Sequence, residues 1–150
     1  TSCPICLRVF REDYALEGIE VLHHSEYIER LIAAGKLKVR PGETDFVYHD
    51  PCELGRGCGI YDAPREVIGR IGRLVEPEQT REHALCCGSG VANIAIDDEG
   101  QRRIGRSVAA SLAATGAGAV VTACPLCKKA IARGNDMPVY DLSEVVADAL

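Results

Sequence analysis

Apolar positions along the chain follow two alternating periods. Short β-branched and aromatic runs read as strands: DFVYHD at 45–50, RLVEPE at 73–78 and AVVTA at 119–123. The first follows the turn signal RPGE at 40–43. Helical spacing fills the gaps. APREVIGRIG (63–72) places Val67, Ile68 and Ile71 on one face, with Pro64 at the first helical position. The longest helix is predicted in 97–118, capped by Asp97 or Asp98 and ended by Gly116 or Gly118. PLCKKAIARG (125–134) reads as a helix from Pro125 to Gly134, and PVYDLSEVVADAL (138–150) as strand, turn and helix started by Asp141 or Ser143. Alternating strands and helices predict an α/β fold, a mostly parallel, Rossmann-like sheet flanked by helices.

The pattern repeats. TSCPICLRVFRED (1–13) is echoed by TACPLCKKAIARG (122–134), and each is followed by a similar run. Val21 aligns with Val139, Ser25 with Ser143 and Glu26 with Glu144 without a gap. The expected division is 1–40 as the tail of one unit and 41–150 as a complete second unit, packed as one globular body. The chain starts without Met and inside a motif, which suggests a segment cut from a longer protein.

Composition narrows the function. At 150 residues, 47% apolar and 26% charged, the chain is sized for one soluble domain with a substantial core. A net charge of −5 gives no basic footprint for nucleic acid. No apolar run is long enough to span a bilayer, and no signal-peptide pattern opens the chain. The expected location is cytoplasmic, with membrane association only through partners.

Eight cysteines change the picture: Cys3, Cys6, Cys52, Cys58, Cys86, Cys87, Cys124 and Cys127. A chain with this much Val, Ile, Leu and Ala needs no disulfide staples, so a metal or redox site in a reducing compartment is the better reading. Cys52, the Cys86–Cys87 pair and the Cys124–Cys127 pair all fall at strand ends or in the turns after them. In a parallel sheet those ends share one edge, where ligands bind. The Cys-x-x-Cys at a helix start offers two thiols beside a helix dipole. Adjacent thiols serve one small ion poorly on a strand, but in a turn loosened by Gly88 and Gly90 they can reach two neighbouring metal atoms. Five sulfurs also exceed the four of a tetrahedral zinc, so the count favours a polynuclear cluster. The GSG backbone and Arg56 are candidate positive groups beside it.

HDPCELGR, CCGSG and ACPLCKK at these separations resemble the cysteine-rich CCG domain. That domain occurs in heterodisulfide reductase catalytic subunits and in iron–sulfur subunits of glycolate, lactate and glycerol-3-phosphate oxidation systems. The resemblance covers roughly residues 45–150 and implies a non-cubane [4Fe–4S] cluster on Cys52, Cys86, Cys87, Cys124 and Cys127. It implies that Cys3 and Cys6 belong to a second site that is incomplete in this chain. It further implies electron transfer with partner subunits carrying iron–sulfur clusters or flavin, one of them membrane-anchored in some systems, and two-electron disulfide chemistry that needs both copies. Val91 departs from the family, which often carries further glycine there, and Cys58 has no counterpart in the pattern.

Two other readings stay open. Cys-Pro-x-Cys opening a helix also suits a thiol–disulfide oxidoreductase. A structural zinc module is the third, with His83 as a further ligand. His49 precedes Cys52 closely enough to orient a ligand, to donate a proton, or to be satisfied by backbone. His23 and His24 are expected at the start of a surface helix, and Lys128 and Lys129 on a solvated helix face.

Overall fold

The computed structural model describes every residue except Ala15, Val91, Ala92, Gly134 and Asn135. The expectations placed on Val91 and Gly134 therefore lie outside the described residues. Four strands, β1 (Asp45–His49), β2 (Arg73–Val75), β3 (Ala119–Thr122) and β4 (Val139–Asp141), form one all-parallel sheet in the order β2-β1-β3-β4. The helices are α1 (Pro4–Glu12), α2 (His24–Ala33), α3 (Asp62–Ile71), α4 (Asp98–Ala113), α5 (Pro125–Ala132) and α6 (Leu142–Asp148).

Strand alternation splits the core into two layers. Phe46, Tyr48, Ala119 and Val121 face one side, packed with Ile68 and Ile71 of α3, Val145 of α6 and Leu7 of α1. Val47 and Val120 face the other, packed with Val108 and Leu112 of α4 and Ile131 of α5. Both faces are covered, which is why these strands read as continuous apolar runs. The chain leaves β1 toward β2, crosses back to β3 and continues to β4. The strand order therefore reverses between β1 and β3, the place where open α/β sheets hold ligands.

The α4–α5 side depends on one close approach. A Cβ on Gly105 would lie 2.9 Å from the carbonyl oxygen of Ala130, inside α5. Gly105→Val is expected to spread these helices and lower stability by about 1–3 kcal/mol. A lower urea midpoint with unchanged slope would show this, and an unchanged midpoint would refute it.

The sequence echo has a structural counterpart. Cys3 and Cys124 are both N-caps, each followed by a proline that opens the helix. α2 and α6 both start in capping boxes, His23 with Glu26 and Asp141 with Glu144. The box glutamates are held by bases from the helices behind the paired cysteines, Arg11 on Glu26 at 2.9 Å and Lys128 on Glu144. The two helix starts meet, with His24 Nε2 at 3.4 Å from Asp141 Oδ1.

Here two expectations need correction. His23 is fully buried rather than at a surface: its Nδ1 lies 2.8 Å from Ser25 Oγ, and burial lowers its pKa to about 3. Lys128 is ion-paired with Glu144 rather than simply solvated.

Candidate metal centre

The three cysteine-bearing loops leave the C-terminal ends of β1, β2 and β3. After β1 the chain runs through Asp50 and Pro51 into a turn of π-helix, Glu53–Gly57, with Cys52 at its start. Asp50 anchors that turn. Its two carboxylate oxygens each accept from Arg65 at 2.8 Å, and one also accepts the backbone N–H of Arg81 at 2.9 Å. Arg65 continues to Glu76 at 2.6 Å and to the Tyr61 carbonyl at 2.7 Å, and lies 5.1 Å from the centre of the Tyr48 ring. Burial opposes the charged form of Asp50, but the Arg65 bonds outweigh it and its pKa lies below the ordinary value. The Arg81 N–H is taken from a residue at φ 56°, a left-handed conformation that the carboxylate helps to hold.

The loop after β2 presents Cys86 and Cys87, and three carbonyls just before them are tethered. Arg56 donates to the carbonyls of Glu82 at 3.0 Å and Ala84 at 2.9 Å. His49 Nε2 lies 3.1 Å from the carbonyl of Leu85. A carbonyl only accepts, so that ring nitrogen carries the proton. Burial lowers the His49 pKa, which keeps the imidazole neutral, and the Thr122 hydroxyl lies 3.3 Å from Nδ1. His49 and Arg56 thus act on the backbone that carries the adjacent cysteines. Gly88 follows at φ +79°, where a Cβ would also come within 2.8 Å of Ile104.

The thiols then meet. Cys86 Sγ is 3.8 Å from Cys52 Sγ, and Cys87 Sγ is 3.2 Å from Cys127 Sγ. Cys86 and Cys87 are adjacent in the chain, and Cys124 and Cys127 share the start of α5 with each thiol shifting the other's pKa, so five thiols follow one another as 52, 86, 87, 127, 124. The adjacent cysteines diverge, one toward the β1 loop and the other toward α5. Nearby backbone N–H groups favour the thiolate forms: Gly88 that of Cys86, Ser89 that of Cys87, and Leu126 and Cys127 that of Cys124. The side-chain amide of Asn93 also reaches Cys86, at 3.6 Å.

Protons are shared unequally along this run. The bond from Cys52 pushes the Cys86 thiol strongly down, and the same bond pushes Cys52 up. Cys124 is lowered to about 7 by the neighbouring Cys127 thiol and by the N–H groups of α5, while Cys127 is raised, chiefly by Cys124. For Cys87, the bond with Cys127 lowers the pKa, but Cys86 and burial outweigh it and leave it at about 11.

A shallow hollow lies against four of these cysteines, walled by Pro4, Ile5, Pro51 and Leu126. Cys3 lines the same hollow, so one member of the amino-terminal pair approaches the five-thiol run. Cys6 is exposed. Among the described residues, no three His, Cys, Asp or Glu side chains converge as a set for one metal ion. The sulfurs are strung across a longer span, and all eight cysteines are free. A donor set of five thiols, several N–H groups and apolar walls fits a polynuclear iron–sulfur group better than a single zinc.

His83 does not join them. Its side chain is 82% exposed and lies by Glu82, which removes it from the ligand set of a zinc reading. Cys58 packs against the core beside α1, its Sγ 3.9 Å from the Pro4 carbonyl. Sequence reasoning missed Asn93 and the Asp50–Arg65 pair. Asn93 sits only seven residues beyond Cys86, whereas nothing in the local pattern pairs Asp50 with Arg65.

Comparison with known proteins points the same way. The family model of the CCG cysteine-rich domain matches residues 46–132. The chain is 34% identical to one of the subunits of a dihydromethanophenazine:CoB–CoM heterodisulfide reductase from Methanosarcina barkeri, over 99% of the chain and 40% of that protein. It is 39% identical to a probable membrane-anchored ferredoxin from Chromohalobacter salexigens, over 87% of the chain and 21% of that protein. It is 32% identical to a probable iron–sulfur-binding oxidoreductase from Bacillus subtilis, over 100% of the chain and 23% of that protein. The chain thus spans two fifths or less of the length of each of these relatives.

Proposed function

This chain belongs to the CCG cysteine-rich domain family, and on that premise we propose that it is an iron–sulfur electron-transfer unit of an oxidoreductase complex. Cys52, Cys86, Cys87, Cys124 and Cys127 hold one cluster, of the non-cubane [4Fe–4S] type. The observation that carries this reading is the unbroken run of five thiols at the strand-order reversal, each loop supplying its share. The iron–sulfur names of relatives that match nearly the whole chain support it.

Such a cluster supplies one-electron transfer. The protein's own groups perform the supporting tasks. Backbone N–H groups of Gly88, Ser89, Leu126 and Cys127 offset negative charge on the sulfurs. Pro4, Ile5, Pro51 and Leu126 restrict water. His49 and Arg56 keep the Cys86–Cys87 turn in register through its carbonyls.

Residues 1–40 are the tail of a first unit and 41–150 a second. On α5, Cys127, Ala130 and Ile131 are buried against the core; the corresponding α1 positions are Cys6, Val9 and Phe10, of which Cys6 and Phe10 are exposed. That contrast, and the shared N-caps, support the division. Cys3 and Cys6 are then two ligands of a second cluster beside the first. Electrons arrive from and leave to partner subunits with iron–sulfur clusters or flavin. Among the described residues no helix is long and apolar enough to cross a membrane, and membrane association through a partner subunit is part of this reading.

Iron and acid-labile sulfide assays on anaerobically prepared protein test the reading. Equal amounts of both are expected, and protein with neither would overturn it. The depressed Cys124 thiol also suits a thiol–disulfide oxidoreductase. That alternative predicts undiminished dithiol activity in Cys52→Ala, whereas the cluster reading predicts a drop in iron content.

A further inference from the structure

Resting on the proposed cluster site, we infer that Asn93 is a positioning and tuning residue whose side-chain amide donates a hydrogen bond to the Cys86 sulfur and raises the reduction potential of the site. Asn93 Nδ2 lies 3.6 Å from Cys86 Sγ, an ordinary separation for a donor to the large sulfur atom. Among the described residues, it is the one side chain other than cysteine that bonds to any of the five thiols. A metal-bound thiolate has no proton to give. Only the N–H₂ end of the carboxamide can therefore face it productively.

The placement is built, not incidental. The Asn93 N–H bonds the Gly90 carbonyl at 2.9 Å, and the Ile96 N–H bonds the Asn93 carbonyl at 2.9 Å. The backbone is pinned on both sides, which aims the side chain back at Cys86. The backbone N–H of Gly88 also favours the Cys86 thiolate, and the Asn93 amide adds a direct side-chain donor. The neighbouring Ile94 is 85% exposed, so Asn93 supports Cys86 where the loop meets solvent.

The electronic consequence follows from charge. Reduction adds one electron, supplied by an external low-potential donor, and puts more negative charge on the sulfurs. An N–H donor stabilises that reduced state more than the oxidised state, so the potential rises. Removing the donor lowers it, and a carboxylate in its place lowers it further by repulsion.

Redox titration of the cluster-loaded protein, read by electron paramagnetic resonance with dithionite as reductant, tests this. The expected order of midpoint potentials is Asn93→Asp lowest, Asn93→Ala next, and Asn93→Gln restored toward the parent. Exchange into ²H₂O should reveal a coupled exchangeable proton in the parent that is lost in Asn93→Ala. Equal potentials and unchanged proton couplings in all four proteins would overturn the inference while leaving the cluster site standing. Should Asn93→Ala not hold iron, the Asp and Gln variants decide: Gln at or near the parent with Asp lower supports it, and Asp equal to Gln overturns it. Parent protein without iron and sulfide would instead overturn the site reading itself.

Discussion

Cys87→Ala is expected to abolish cluster binding, with iron and acid-labile sulfide both falling to background in anaerobically prepared protein. Cys87 is the middle of the five-thiol run, next to Cys86 in the chain on one side and with its Sγ 3.2 Å from that of Cys127 on the other. It is 2% exposed, so no water or buffer thiol can readily replace it. Losing an end member, such as Cys52, leaves four consecutive sulfurs; losing Cys87 divides the remainder into two separate pairs. The expected order of iron retention is therefore parent, then Cys52→Ala, then Cys87→Ala. Cys58→Ala is the control. Cys58 bonds the Pro4 carbonyl, packs against the core and makes no bond to the five thiols among the described residues, so Cys58→Ala should retain the parent's iron. Full iron content in Cys87→Ala would remove the five-thiol assignment.

The cysteines were legible because their chemistry and their spacing coincide. Strand periods placed Cys52 and Cys124 at the ends of β1 and β3, and a parallel sheet brings such ends to one edge whatever the loops do. The helix starts were equally readable, since Asp97 and Asp141 cap α4 and α6 through local bonds. What escaped was nonlocal. His23 looks like a surface residue by type, but it caps α2 from inside the core. His83 sits near Cys86 in sequence, yet it lies in a short 3-10 turn that points it outward. Arg56 and His49 flank Cys52 in the sequence, but only the fold reveals that they grip the carbonyls of Glu82, Ala84 and Leu85. A periodic pattern reports which face is apolar; it carries no record of which carbonyl a distant side chain will find.

The same nonlocality gives the second large effect. Arg65→Met is expected to destabilise cluster-free protein by about 3–5 kcal/mol, because it strands the buried Asp50 carboxylate without its partner. Asp50 and Arg65 are 3% and 8% exposed, so water cannot take over the lost bonds. The pH dependence has a definite sign. The pKa of Asp50 is lower in the folded than in the unfolded state, so its contribution is present above the unfolded value and fades as pH falls through the folded value. In Arg65→Met the lowering partner is gone and burial raises the carboxyl instead, so mild acid neutralises it and relieves the variant. The stability gap should be widest near neutral pH and narrow toward pH of about 4. Urea midpoints of both proteins across that range measure it, and a gap constant with pH would show that lost packing, not stranded charge, is the cause. The effect also reaches the site: Asp50 is two residues from Cys52 and holds the Arg81 N–H in the loop that leads to Cys86. Arg65 itself bonds Asp50 in the β1 loop and Glu76 and Thr80 in the β2 loop, so without it the two loops lose their common anchor. Arg65→Met should therefore retain less iron than the parent even at temperatures where it is fully folded.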